Sequence, residues 1–172
     1  MLGRLVPNFE GIANNGKAIN SEYFKGKVTL INFMYIGCPP CMQELPMLLQ
    51  LYKRLDSSRS QILCIAPHTK EQIEAFNSNK PSIYSVVRNY FGADSIPYAI
   101  LPECPLAKRK KNPRTMAPEC DLISSKFKVD GYPMSFLVDG NLRIVKVYEG
   151  FATGRDSLYI SQITKDIESI GK

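Results

Sequence analysis

The sequence predicts an α/β protein in which a central mixed sheet has parallel core strands, an antiparallel C-terminal hairpin and flanking helices. Three observations predict it. First, "KVTLINFMY" (Lys27–Tyr35) and "QILCIAP" (Gln61–Pro67) are nearly continuous apolar, β-branched runs, the pattern of strands buried on both faces. Second, each run is followed by a segment with helical spacing, and such alternation places the strands side by side and parallel. Third, "MSFLVDGNLRIVKVY" reads as two strands joined around Asp139-Gly140-Asn141, a hairpin turn.

The first helix is expected over Pro40–Leu55, where Met42, Leu45, Leu48, Leu49, Tyr52 and Leu55 share a face. Pro46 falls inside it and predicts a kink. After the second strand, Thr69 and Gln72 are spaced as a capping box at the head of "TKEQIEAF". The stretch from Pro81 to Gly92 is less regular and partly helical, and "PYAIL" (Pro97–Leu101) reads as a short strand. A polar insert, Pro102 to Asp121, separates it from the hairpin. The last helix is expected over Asp156–Ile170, with Ile160, Ile163, Ile167 and Ile170 on one face and Gly171 at its end. No internal repeat or low-complexity linker interrupts the order, and 172 residues suit a single domain (1–172) carrying one insert at about 102–121.

Composition narrows the function classes. No apolar run approaches the roughly 18 residues of a membrane span. The start, "MLGRLVPNFEG", lacks the long apolar core of a signal peptide, which leaves a cytosolic protein or one whose targeting segment lies outside this sequence. The net charge is +6, from 22 basic and 16 acidic residues. Lys108, Arg109, Lys110, Lys111 and Arg114 supply five of those charges, and taking them away leaves +1. The excess is local, so nucleic acid is not an expected partner.

The chemistry concentrates in "GCPPCMQELP", Gly37 to Pro46. Cys38 follows a buried strand and opens a helix, where free N–H groups and the positive end of the helix dipole favour a thiolate. Its pKa is expected below the roughly 8.5 of free cysteine. Cys41 lies one turn further on and is expected to be the less exposed of the two. Pro39 and Pro40 stiffen the first turn and remove two N–H donors. A zinc site would need two more ligands from Cys64, Cys104, Cys120 and His68, none of which forms a second C-x-x-C. A purely structural disulfide across two residues would close too small a loop to restrict the unfolded chain much. C-x-x-C beside a βαβ pattern is the redox signature.

"GKVTLINFMYIGCPPCMQELPML" resembles the thioredoxin superfamily, and within it the TlpA/ResA-like extracytoplasmic thiol–disulfide oxidoreductases. The preceding "PNFEGIANNGKAINSEYFKGK" is similar to that group's lead-in, shared with peroxiredoxins. "FKVDGYPMSFLVDGNLRIVKVYEGF" is similar to the segment bearing the family's cis-proline, and Pro46 matches its kinked helix. The likeness covers nearly the whole chain except the insert, and implies a thioredoxin-like fold. It implies that Cys38 attacks and Cys41 resolves. Pro133 would be cis, presenting the backbone of Tyr132 to an extended substrate peptide; an ordinary turn before a strand is the other reading. It implies no cofactor beyond the dithiol, with cysteine-containing protein substrates and an upstream redox partner. Direction is open, and the subgroup implies a reductant in the periplasm or tethered to a membrane.

Departures from the family are informative. Gly37 stands where tryptophan is frequent, so a more open active-site surface is expected. Asn32 occupies the place of the buried acid of thioredoxins proper, six residues before Cys38, and cannot accept a proton. Glu44, three residues past Cys41, either fills that role in part or is a solvated helix carboxylate. A peroxiredoxin would carry Thr or Ser three residues before its reactive cysteine, where this chain has Tyr35. A Cu(I) carrier without oxidoreductase activity is the alternative function, using Cys38 and Cys41. The thioredoxin-fold copper chaperones, however, space their cysteines by three residues and place a histidine near the position of Pro133. A fold-only interaction domain is a third reading.

Five cysteines make at least one unpaired within a monomer. Cys64, mid-strand, is expected to be buried and inert. Cys104 and Cys120 bracket the basic insert as a structural disulfide or two free thiols; a bond would close a loop of about 16 residues, worth roughly 3 kcal/mol. The basic run is a solvated loop or a docking patch for an acidic protein or anionic lipid surface. His68 is expected to be an exposed loop residue. No metal ligand set is assigned.

Overall fold

A computed structural model describes residues 1–90, 92, 95–103, 122–151 and 156–170, the side chains of 156 and 157 excepted. The N-terminal lead-in forms a small antiparallel pair, β1 (Gly11–Ile12) and β2 (Ala18–Ile19), then one turn of helix, α1 (Ser21–Phe24), capped by the Asn20 side chain. β3 (Val28–Phe33) follows, buried at all six positions. Then come α2 (Pro39–Arg54), β4 (Ser60–Ala66), α3 (Lys70–Asn77), α4 (Ile83–Tyr90) and β5 (Ala99–Pro102). α5 (Ile123–Phe127), β6 (Met134–Val138), β7 (Ile144–Glu149) and α6 (Asp156–Ile170) complete the order.

The five main strands form one sheet in the order β5-β4-β3-β6-β7. β3, β4 and β5 run parallel, and the β6–β7 hairpin adds antiparallel against β3. The expected mixed sheet is therefore present, with β3 at its centre. Asp139 closes the hairpin turn, its carboxylate accepting the N–H groups of Asn141 (2.9 Å) and Arg143 (2.8 Å).

Side-chain alternation divides the core between the faces. Leu30, Ile62, Cys64 and Ala66 pack with Met42, Leu45 and Leu48 of α2 and with Ile160, Ile163 and Ile167 of α6. Ile31, Phe33, Leu63 and Ile65 face the other way, onto Phe9, Phe24 and α5. There Phe127 sits 5.1 Å from Phe33 and 5.0 Å from Phe136, ring centre to ring centre. Helices on both faces explain why β3 and β4 lack polar alternation.

The Thr69–Gln72 capping box forms with both reciprocal bonds, 3.0 and 3.2 Å. α2 runs on through Pro46, where the Met42 carbonyl loses its usual helical donor. Short elements that hydrophobic period does not mark appear in the lead-in and at α5. α5 has no side-chain cap of its own; the buried Glu103 carboxylate accepts the Ser124 N–H from 21 residues away. Cys104, Cys120, the basic run and Gly171 lie outside the described residues. Among the described residues no helix is long and apolar enough to cross a membrane.

Candidate active site

β3 ends at Phe33, and a short turn delivers Cys38 to the head of α2. Gly37 makes that turn with φ +94°, a backbone geometry that side chains disfavour, while nothing lies within 4 Å of where a Cβ would stand. The backbone conformation, more than lack of space, explains glycine here. Cys38 is the helix N-cap, and its Sγ accepts the Cys41 N–H at 3.3 Å. Pro39 and Pro40 occupy the first two helical positions, where N–H groups would have no intrahelical acceptor. The first amide able to reach the Cys38 sulfur is therefore that of Cys41.

Cys38 and Cys41 are joined as a disulfide, their Cα atoms 5.2 Å apart. The expectation that Cys41 would be the more buried is corrected: both are 2% exposed. Cys38 is covered because the loop before β6 closes over it, with the Tyr132 carbonyl oxygen 3.8 Å from its Sγ. The Tyr132–Pro133 peptide bond is cis. The Tyr132 ring meets Tyr35 edge to face at 5.4 Å. Tyr35 remains partly solvent-exposed.

One helical turn beyond Cys41, Glu44 joins a polar network. Glu44 is 1% exposed, which removes the solvated-carboxylate reading. Its Oε2 accepts from Asn32 Nδ2 at 3.0 Å and its Oε1 from the Tyr159 hydroxyl at 2.5 Å. The same Asn32 amide donates to Ser135 Oγ at 2.9 Å. Burial pushes the Glu44 carboxyl up to about 7, while the bonds from Tyr159 and Asn32 pull the other way. Asn32 thus anchors an acid contributed by α2, three residues beyond Cys41. Burial, then the neighbouring Glu44 carboxylate, raises the Tyr159 phenol above its ordinary value.

Ser135 and Tyr159 escape sequence reasoning. Ser135 shows only as a hydroxyl in the apolar run "MSFLV"; Tyr159 sits beside an isoleucine stripe that accounts for its helix without it.

The remaining candidates lie apart. Cys64 is 1% exposed, and burial holds its thiol well above the ordinary range, as expected of an inert core cysteine. His68 is half-buried, correcting the expected exposure, because its ring packs against Tyr84 of α4 at 6.3 Å. Among the described residues no group of three or more His, Cys, Asp or Glu side chains is arranged to hold a metal ion.

Comparison with known proteins agrees with this layout. The model of the AhpC/TSA family matches residues 2–147. A thiol-disulfide oxidoreductase ResA of Bacillus thuringiensis is 33% identical over 64 residues, 37% of this chain and 37% of its own. Its counterpart in Bacillus subtilis is 35% identical over 63 residues, 37% and 35% of the two chains. The aligned part thus spans little more than a third of these curated relatives. A thiol-disulfide isomerase from Corynebacterium glutamicum superposes with a TM-score of 0.65 at 18% identity, covering 98% of this chain and 96% of that one. A thioredoxin-family thiol:disulfide interchange protein from Chlorobium tepidum gives 0.58 at 23% identity, covering 100% and 99%. At such identities the solved structures speak for the fold, which is thioredoxin-like.

Proposed function

The chain belongs to the AhpC/TSA family, and from that premise we propose that it is a thiol–disulfide oxidoreductase acting on cysteines of partner proteins. The observation that carries this reading is the Cys38 sulfur itself. It caps α2, accepts the Cys41 amide at 3.3 Å and is bonded to a second cysteine one turn away. A helix start stabilises the thiolate, and the thiolate is the species that exchanges disulfides.

The exchange proceeds in two displacements. In the reduced protein the Cys38 thiolate attacks one sulfur of a partner disulfide; the partner's S–S bond breaks, and its other sulfur leaves as a thiolate that takes up a proton. Cys41 then gives its proton to the Glu44 carboxylate, and its thiolate attacks the Cys38 sulfur. The Cys38–Cys41 bond forms, the mixed disulfide breaks, and the second partner sulfur leaves as a thiolate to be protonated. Two electrons have passed to the partner, and no further cofactor is needed. Tyr132, whose carbonyl lies 3.8 Å from the Cys38 sulfur, offers a backbone acceptor to an extended partner segment, with Pro133 fixing its direction. Pro39 and Pro40 hold the first turn as the sulfurs change partners.

The names of the relatives support this activity, and the likeness to ResA favours a reductant working outside the cytoplasm, recharged by an upstream redox protein. The basic run at Lys108–Lys111 and Arg114 would dock an acidic protein or an anionic lipid surface, and a Cys104–Cys120 bond would pin it.

Reduction of a protein disulfide, followed against pH with wild type, Cys38→Ser and Cys41→Ala, tests the reading. Wild type turns over, Cys38→Ser does not, and Cys41→Ala accumulates a mixed disulfide that thiol reagents release. Full turnover by Cys38→Ser, or tight one-to-one Cu(I) binding in a protein that exchanges no disulfides, would overturn it.

A further inference from the structure

Tyr159 stands on the last helix, 115 residues beyond the carboxylate it touches. We propose that Tyr159 is a positioning residue for the dithiol: its hydroxyl fixes the Glu44 carboxylate and stabilises its charged form, so that Glu44 can receive the Cys41 proton. The inference rests on the thiol–disulfide reading above.

The geometry around Glu44 leaves few other sources of support. Its oxygens are divided between two donors, Asn32 at 3.0 Å and Tyr159 at 2.5 Å. Asn32 is already committed to Ser135 at 2.9 Å and is a neutral amide. The titratable groups facing Glu44 are Cys64 from β4, Tyr98 from just before β5, and Tyr159 from α6, while Cys41 stands three residues earlier on the same helix, on the neighbouring turn. None is a cation, and among the described residues no Lys, Arg or His offsets the charge. A carboxylate buried without a cation depends on its hydrogen bonds, and a bond to a charged group is the stronger kind.

Packing explains how the hydroxyl is held on target. The Tyr159 ring meets Phe151 at 5.5 Å and Tyr148 at 6.1 Å, both edge to face. Tyr148 is itself tied down, its hydroxyl donating to Asp166 at 2.7 Å, and Gln162 and Lys146 meet the same carboxylate at 3.1 and 3.8 Å. Tyr159 is half-buried while the Glu44 it bonds is enclosed.

Tyr159→Phe removes the hydroxyl and keeps the ring. In the oxidised protein, carboxyl ¹³C NMR should place the Glu44 midpoint at about 7 and move it up by about one pH unit or more in the variant. In the reduced protein, resolution of a preformed mixed disulfide at pH 7 should slow about fivefold or more, as the charged fraction of Glu44 falls, and recover as pH rises. Tyr159→Phe added to Glu44→Gln should slow resolution no further. An unmoved Glu44 midpoint, or a full additional loss in the double variant, overturns the proposal. Should Tyr159→Phe fail to fold, the ¹³Cζ resonance of Tyr159 in wild type must shift at the Glu44 midpoint, and its indifference is equally fatal. A wild-type protein that exchanges no disulfides removes the functional reading and this role together. Normal exchange with an unmoved midpoint removes only the role of Tyr159.

Discussion

Replacing Glu44 by glutamine in the disulfide form deletes one buried titrating group, keeps its size and leaves Cys38 and Cys41 unable to ionise. Burial raises the Glu44 carboxyl from an ordinary 4.5 to about 7. The native state therefore holds the Glu44 proton more tightly than the unfolded chain. The resulting stability is fully present below pH 4.5 and is lost as pH rises through about 7. Each tenfold change in proton affinity is worth about 1.4 kcal/mol, so the loss across this window is roughly 3 kcal/mol. Glutamine cannot titrate. It changes the bonds to Asn32 and Tyr159 by an amount that does not vary with pH. Every other titrating group is common to both proteins and cancels in the difference. Urea unfolding of oxidised wild type and Glu44→Gln between pH 4 and 8 should thus show the variant gaining on wild type by roughly 3 kcal/mol, with the change centred between 4.5 and 7. Stability curves that stay parallel across that range would refute the burial and proton-affinity reasoning for Glu44.

Three further expectations follow from local geometry. Gly37→Ala forces a Cβ onto a φ of +94° and should cost about 1–2 kcal/mol in urea unfolding; no loss would mean that the turn before Cys38 relaxes freely. Thr69→Ala removes the hydroxyl that accepts the Gln72 N–H, one of the two bonds of the α3 capping box, and should cost about 1 kcal/mol, read as a lowered Tm. Cys64, 1% exposed in the core, should resist iodoacetamide in the folded reduced protein and react only on unfolding, as mass spectrometry of the labelled peptides would show; labelling at the rate of Cys38 would contradict its burial.

Hydrophobic pattern carried the main architecture because the two central strands are covered on both faces and the long helices bury single stripes. Val28–Phe33 and the Ile160, Ile163, Ile167 stripe are legible for that reason. The short elements were not legible, since a two-residue strand or a five-residue helix spans too few positions to show a period. α5 in particular is capped by a carboxylate 21 residues away, a contact that no local pattern encodes. At the site, the cysteine pair and its prolines were legible because a helix start is a local event. The burial of Glu44 was not, because it depends on Asn32 from β3 and Tyr159 from α6 meeting one residue of α2. The equal burial of Cys38 and Cys41 likewise comes from a distant loop, in which Tyr132 closes over the sulfur.

Everything in the proposed chemistry begins with the sulfur that caps α2. The pH dependence of alkylation of the reduced protein, followed residue by residue by mass spectrometry, measures its proton affinity directly. Cys38 should react first, with a midpoint below the roughly 8.5 of a free thiol, and Cys41 later and at higher pH. A Cys38 midpoint at or above that value, or Cys41 reacting first, would contradict the account.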